Sequence, residues 1–252
     1  MSTRRKVILV VLLAVLVAGV WFLQLRSSEP EYGGRKLSSW LIEVDHWNGD
    51  TNAPVVLAVR AIGKQAVPYL TTECFAQDSG IKQKVAVEFE KHPKLLEHRF
   101  TTAPERWGRA HWALGVLGPH SRSALPAFLA ALTNESATVR ALAVNAIRAV
   151  GPEAEDCVSA LIARQDDQAV RGNVMYALGA IGRRADLCVP VLRNALSDTN
   201  VNVRQNAVNA LGHFGRDARV AIPELTKALN DKFTARRATD ALKQIQSDEM
   251  LR

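Results

Sequence analysis

Three cysteines in 252 residues are too few, and too odd in number, for a disulfide framework. Aromatic residues make up 6% of the chain, and 15 glycines and 10 prolines fall short of a low-complexity composition. Six histidines (His46, His92, His98, His111, His120 and His213) form no HExxH and no i,i+4 pair, and no CxxC accompanies them. His92 and His98, six apart, are poorly spaced for one helix face. A GxSxG elbow, a P-loop and a glycine-rich phosphate cradle are absent as well. These gaps argue against an enzyme, and no metal, cofactor or small-molecule substrate is expected. Asn134-Glu-Ser136 matches a glycosylation sequon, a pattern short enough to arise by chance.

An excess of one charge is also missing from most of the chain. The formal net charge is +7, but residues 1–36 hold six Lys/Arg against two acids. The remaining 216 residues carry 26 basic and 23 acidic groups, too balanced for a strongly cationic nucleic-acid domain. The tail contains the one long apolar run, Val7 to Leu25, interrupted only by Gln24. As a helix its 19 residues would span about 28 Å, close to a bilayer's hydrocarbon thickness. Arg4, Arg5 and Lys6 precede it and Trp21 sits near its far end, where an aromatic ring suits the interface. No small-x-small cleavage site follows before Arg26, so an uncleaved transmembrane anchor is expected rather than a signal peptide. With the basic flank in the cytoplasm, the body would lie across a bacterial inner membrane, in the periplasm. The expected divisions are a basic tail (1–6), the anchor (7–25), a linker (26–36), N-terminal capping helices with a partial repeat (37–105) and full repeats (106–252).

What the body does have is repetition, and 48% hydrophobic residues with which to build a core. Gly118, Gly151, Gly182 and Gly215 end similar segments at spacings of 33, 31 and 33. Three residues after each comes Ser121, Ala154, Ala185 or Ala218, and six after comes Ala124, Cys157, Cys188 or Ala221. Eight after comes Pro126, Ser159, Pro190 or Pro223, and a proline fits the first turn of a helix. A polar turn (TNES, RQDD, SDTN, NDKF) then opens a second helix. That helix carries apolar stripes such as Val139, Leu142, Ala143, Ala146, Ile147 and Val150, which fall on one side at ~100° per residue. The closing glycine suits a helix C-terminus, where a left-handed residue is needed. AVRAIGKQAVPYL (58–70) reads as a partial unit, LSSWLIEV (37–44) has helical spacing, and GIKQKVAVEFEKHPKLLEHRF (80–100) is expected to add helices. DKFTARRATDALKQI lacks the Val-Arg register and the closing glycine, as a degraded terminal unit. Helix pairs at this period make a solenoid, because each pair has an apolar face that only a neighbour can cover.

Proline in the first helix, an acidic or amide turn, Val-Arg and Ala-Leu-Gly-x-Ile-Gly together resemble HEAT repeats, and the short period is similar to the bacterial phycobilisome-lyase type. The resemblance covers Arg106 to about Ile245. The order of anchor, YGGRKLSSWL, AIGKQAVPYL and ALGVLG repeats resembles membrane-anchored HEAT-repeat proteins of verrucomicrobial genomes. It implies an all-α, right-handed solenoid and no particular activity. Some HEAT-repeat hydroxylases hold iron through His-Glu pairs, but this chain has no His-Glu dipeptide. Bilin attachment, known for lyase-type members, has no chemistry in the repeat itself.

The remaining candidates follow from the repeat. Equivalent atoms of Cys157 and Cys188 should lie about a helix diameter apart, ~10 Å, too far for a disulfide, so both are read as small core fillers. Arg140, Arg171 and Arg204 recur at the start of the second helix. Such a row could bind acidic groups, but the resemblance to HEAT repeats implies pairing with an aspartate of the preceding turn; six residues upstream only Arg204 has one, Asp198, while Asn134 and Gln165 hold that place in the other units. The ladder thus reads as incomplete. The face opposite the apolar stripe carries Ala141, Gly172 and Gln205, then Asn145, Tyr176 and Asn209, with Arg148 nearby. Amides and a tyrosine suit a protein or peptide partner better than a phosphate backbone. A scaffold docking its partner through Asn145, Arg148, Tyr176, Gln205 and Asn209 is therefore expected. A nucleic-acid-binding domain on the cytoplasmic side is the alternative.

Overall fold

The computed structural model describes residues 29–80, 84 and 101–247. The expected anchor (7–25), His92, His98 and nearly all of the 80–100 insertion lie outside these residues. No described helix is long and apolar enough to cross a membrane. Apart from turns and loops, the described chain is helical but for a short hairpin, β1 (Glu31–Tyr32) and β2 (Arg35–Lys36), paired antiparallel with Tyr32 opposite Arg35. Gly33 and Gly34 between them have φ of 59° and 74°, the positive values that a tight hairpin turn demands. An all-helical reading missed this hairpin because two residues are too short to show an alternating pattern.

Helix α1 (Leu37–Leu41) and a 3₁₀ turn (Ile42–His46) lead into α2 (Pro54–Ile62). There follow α3 (Val67–Glu73), α4 (Ala103–Leu117), α5 (Leu125–Ala131), α6 (Ala137–Val150), α7 (Val158–Ile162) and α8 (Arg171–Ile181). The chain continues through α9 (Ala185–Ala195), α10 (Val201–His213), α11 (Ile222–Ala228) and α12 (Ala235–Ser247). Helices α3, α5, α7, α9 and α11 are the first members of pairs, and α4, α6, α8, α10 and α12 the second. Each second helix packs on the next, as a solenoid requires. The partial unit at 58–70 is the α2–Gly63–α3 segment, with Pro68 in the first turn of α3.

The repeated letters are the stacking positions. Five residues before each closing glycine stands Ala58, Ala113, Ala146, Ala177 or Ala210, none more than 2% exposed. Four before it stands Val59, Leu114, Ile147, Leu178 or Leu211, each fully buried. Burying a side chain of that size contributes about 2 kcal/mol. Small residues in the first row let successive second helices approach. Closest of all are α8 and α10, where a Cβ built on Gly179 would lie 2.6 Å from the Cβ of Ala210. Gly118 (φ 52°, ψ −121°) and Gly151 (φ 73°, ψ −140°) end their helices in a region that side-chain-bearing residues scarcely enter. That fixes the letter more tightly than the left-handed cap expected, a cap that Gly182 alone among these three adopts (φ 58°, ψ 26°).

Three departures from the expected pair have local causes. After Gly118, Gly151 and Gly215 the chain first makes a 3₁₀ turn, and the first helix proper begins only at 125, 158 or 222. Pro126 and Pro223 sit in the first turn of α5 and α11, whereas Pro190 lies inside α9, which starts early because Arg184 takes φ 55°. The last unit is not degraded. Thr234, Ala238, Ala241 and Ile245 are at most 3% exposed and reproduce the spacing of Val170, Val174, Ala177 and Ile181. Thr234 fills the valine slot and satisfies its hydroxyl on the Ala228 carbonyl at 2.9 Å.

Candidate functional site

The arginine row was expected to pair backwards and incompletely. It pairs forwards, on all three rungs. Arg140 Nε donates to Asp167 at 2.7 Å, Arg171 to Asp198 at 2.9 Å and Arg204 Nε to Asp231 at 2.8 Å, each 27 residues on, in the next unit. The outer ends of Arg140 and Arg204 donate to carbonyls of their own preceding turn, Asn134 and Asp198 among them. Counted from the closing glycine rather than from the arginine, the acceptor slot is sixteen residues on: Asn134, Asp167, Asp198 and Asp231. All four accept a backbone N–H two residues ahead, at 2.7–3.0 Å, and so shape the turn. Asn134 alone is neutral, and the unit before it has Trp107 where the others have arginine. The guanidinium of Arg140 holds the Asp167 carboxyl below its usual range. These arginines are therefore committed to joining repeats and are not free to bind an anion.

The cysteines are core fillers. Cys74, Cys157 and Cys188 are free and buried, and burial pushes their thiols up to about 12, 11 and 12 respectively. Among the described residues no three His, Cys, Asp or Glu side chains gather to hold a metal.

Helix α2 and the second helices leave one row open along one face of the stack, six residues before each closing position: Leu57, Trp112, Asn145, Tyr176, Asn209 and Asp240. Leu57 is 47% and Tyr176 43% exposed, and Trp112 is half-buried. Trp47, 37% exposed, packs edge-on to Trp112 with ring centroids 5.4 Å apart. Three residues before the closing position stand Arg60, Gly115, Arg148, Gly179, Gly212 and Lys243. Arg148 reaches across to the next unit and lies over the Tyr176 ring, 4.8 Å from its centroid. Beneath it His111 is largely buried, and desolvation together with the Arg148 charge lowers its pKa to about 4. Arg148 Nε and His111 Nε2 are buried without a hydrogen-bond partner.

All five residues expected to meet a partner are on this face, but they are not equally free. Gln205 Nε2 donates to the Phe233 carbonyl at 2.9 Å, and Asn145 accepts from Asn173 at 3.3 Å. Both help to join repeats. Arg148 and Tyr176 hold each other, and Asn209 is half-buried on the open row. Leu57, Trp47 and Trp112 were missed. Trp112 stands six residues before Gly118, so the count that found Asn145 finds it too. Trp47 comes from outside the repeat and had no such signal. A separate cleft lined by Ser38, Tyr69, Glu73, Arg106 and Arg109 offers no free cation, because Arg106 is paired with Glu73 and Arg109 with Asp45.

A family model described as HEAT repeats matches residues 158–246. No curated protein matches the sequence. Among solved structures, an engineered protein is similar at 20% identity and a TM-score of 0.44, covering 84% of this chain and 96% of that one. Human deoxyhypusine hydroxylase in complex with glycerol is similar at 18% identity and a TM-score of 0.40, covering 83% and 98%. Likeness at this level carries no argument about activity. The HEAT-repeat match thus covers residues 158–246, and stacked helix pairs closed by recurrent glycines continue the same pattern upstream of it.

Proposed function

We propose that this protein is a non-enzymatic scaffold that docks a protein or peptide segment on the inner face formed by its second helices. The observation that carries the reading is the open row Leu57, Trp112, Asn145, Tyr176 and Asn209, with Trp47 against it. Of the exposed large hydrophobic side chains among the described residues, Leu57, Trp47 and Tyr176 lie on or against this row, and Tyr32, Ile42, Val220, Leu229 and Phe233 lie off it. A partner that covers the first three would bury them, and aromatic anchors are what protein interfaces favour. The arginines that recur along the repeats are joined to aspartates between repeats, which leaves a nucleic-acid groove only the scattered Arg60, Arg148 and Lys243 on this face.

The scaffold would be held at a bacterial inner membrane by residues 7–25, with its repeats on the periplasmic side. A photo-crosslinking amino acid placed at Tyr176 or Asn209 should capture a discrete protein in intact cells, whereas one at Thr226, on the first helix of its pair, should not. Equal capture from both faces would refute the docking face. For the orientation, alkaline phosphatase fused after Arg252 should be active and a fluorescent protein there dark. The reverse pattern would place the repeats in the cytoplasm.

A further inference from the structure

We infer that the segment docked on this face is acidic and apolar together: a peptide whose aromatic or large aliphatic side chains alternate with carboxylates. This rests on the docking face proposed above. Three observations on the two inner rows carry it. First, the exposed apolar groups are confined to the N-terminal and middle units, at Leu57, Trp47 with Trp112, and Tyr176. Equivalent positions on stacked helices lie about 10 Å apart, so a ligand must present apolar side chains at a repeated spacing, as an extended or helical segment does.

Second, the charges interleaved with them are cationic. Arg60, Arg148 and Lys243 occupy the row three residues before the closing position, where Gly115, Gly179 and Gly212 leave the other units bare. Asp240, at the C-terminal end, is the one carboxylate on the two rows among the described residues. Of the nearby acids, Asp45 holds Arg109, Asp167, Asp198 and Asp231 hold the ladder, and Asp50 beside Trp47 accepts the Asn52 N–H. Third, the Arg148 guanidinium lies over the Tyr176 ring, 4.8 Å from its centroid, with its Nε buried and no carboxylate paired with it among the described residues. A guanidinium so placed offers its outer edge to a carboxylate beside an aromatic ring, and a charge-assisted bond there would strengthen in the partly desolvated setting. Three cations spread over six units are too sparse to follow a phosphate backbone, whereas single carboxylates between apolar anchors match them.

The test pans a random dodecapeptide library against the full chain purified in mild detergent and measures selected peptides by fluorescence polarisation, with a 20-nucleotide oligothymidine as the competing class. Expected are selected peptides with net negative charge and at least two large apolar residues. Arg148→Glu should weaken them about tenfold or more, and Tyr176→Ser and Leu57→Ser should weaken them too, with melting curves unchanged. Panning against Arg148→Glu should turn the selection toward basic peptides. Selected peptides that are neutral or basic, indifference to Arg148→Glu, or tighter binding of oligothymidine at 150 mM salt would each overturn the inference. If basic peptides bind and are lost with Tyr176→Ser, the docking face stands and only its charge preference fails. If binders ignore Tyr176 and Leu57, the face itself fails.

Discussion

Replacing Gly179 by alanine tests the tightest contact in the stack. The added Cβ would meet the Cβ of Ala210 at 2.6 Å and its Cα at 2.7 Å. Carbon atoms settle near 3.5–4.0 Å, so α8 and α10 must part by roughly 1 Å. The obstacle is backbone, which cannot swing aside as a flexible side chain would. Overpacking costs about 1–3 kcal/mol, and with backbone as the obstacle the upper part of that range applies, about 2–3 kcal/mol, while the better helix propensity of alanine returns about 0.8–1.0 kcal/mol. A net loss of about 1–2 kcal/mol remains, or a fall in Tm of roughly 2–8 °C for a domain of this size. Gly108 supplies the contrast. It lies inside α4 with nothing within 4 Å of a built Cβ, so Gly108→Ala keeps the propensity benefit alone and should raise Tm by roughly 1–4 °C. Thermal melts of the two variants, followed by circular dichroism at 222 nm, should move in opposite directions. If Gly179→Ala melts at or above the parent, or Gly108→Ala clearly below it, then close helix contact is not why these units carry glycine.

Other outcomes follow from the ladder and the buried groups. Asp198→Ala loses both the Arg171 pair and the bond from the Asn200 N–H, whereas Asp198→Asn can keep the turn as Asn134 does; the alanine variant should be less stable by about 1 kcal/mol more in urea unfolding. Because Arg140 depresses the folded-state pKa of Asp167, that stabilisation is full above the ordinary carboxylate value of 3.8 and fades as pH falls through the lower folded value; Asp167→Asn should flatten this part of an acid titration. His111 is held neutral down to about 4, so its unfolded form takes a proton first as pH falls from 6.5; stability should drop by roughly 2–3 kcal/mol between pH 6.5 and 4, and His111→Gln should remove that slope. With thiols pushed up to 11 or 12, Cys74, Cys157 and Cys188 should resist iodoacetamide at pH 8 in the native protein and react in guanidinium; rapid native labelling would show that they are not buried as described.

The helix pairs were legible because a glycine every 31 to 33 residues fixes a register, and alanine and leucine just before it repeat a packing requirement. What escaped notice did so for identifiable reasons. The ladder looked broken when counted backwards from arginine, since the unit ending at Gly182 has a turn two residues shorter. Counted forward from glycine, Asp167, Asp198 and Asp231 fall into line. The terminal unit looked degenerate because Thr234 replaces valine and Ala235 replaces arginine, yet a threonine whose hydroxyl finds the Ala228 carbonyl buries as well as valine. Of the inner face, Asn145, Tyr176 and Asn209 were visible as one row, and Trp112 was available to the same count. Trp47 was not, because it reaches the row through a contact made across 65 residues of chain. No periodicity reveals that Gln205 and Asn145 join repeats, since that depends on where the neighbouring unit's carbonyl and amide fall.

Every rung of the ladder runs the same way, an arginine always gripping the aspartate of the unit that follows. The molecule is therefore not equivalent read from its two ends. Cut away before Asp231, it would leave Arg204 half-buried and unanswered; cut away before Asn134, it would strand no arginine of the ladder. As such a chain leaves the ribosome, each unit stays unlatched until its successor arrives, so consolidation must trail synthesis by one full module.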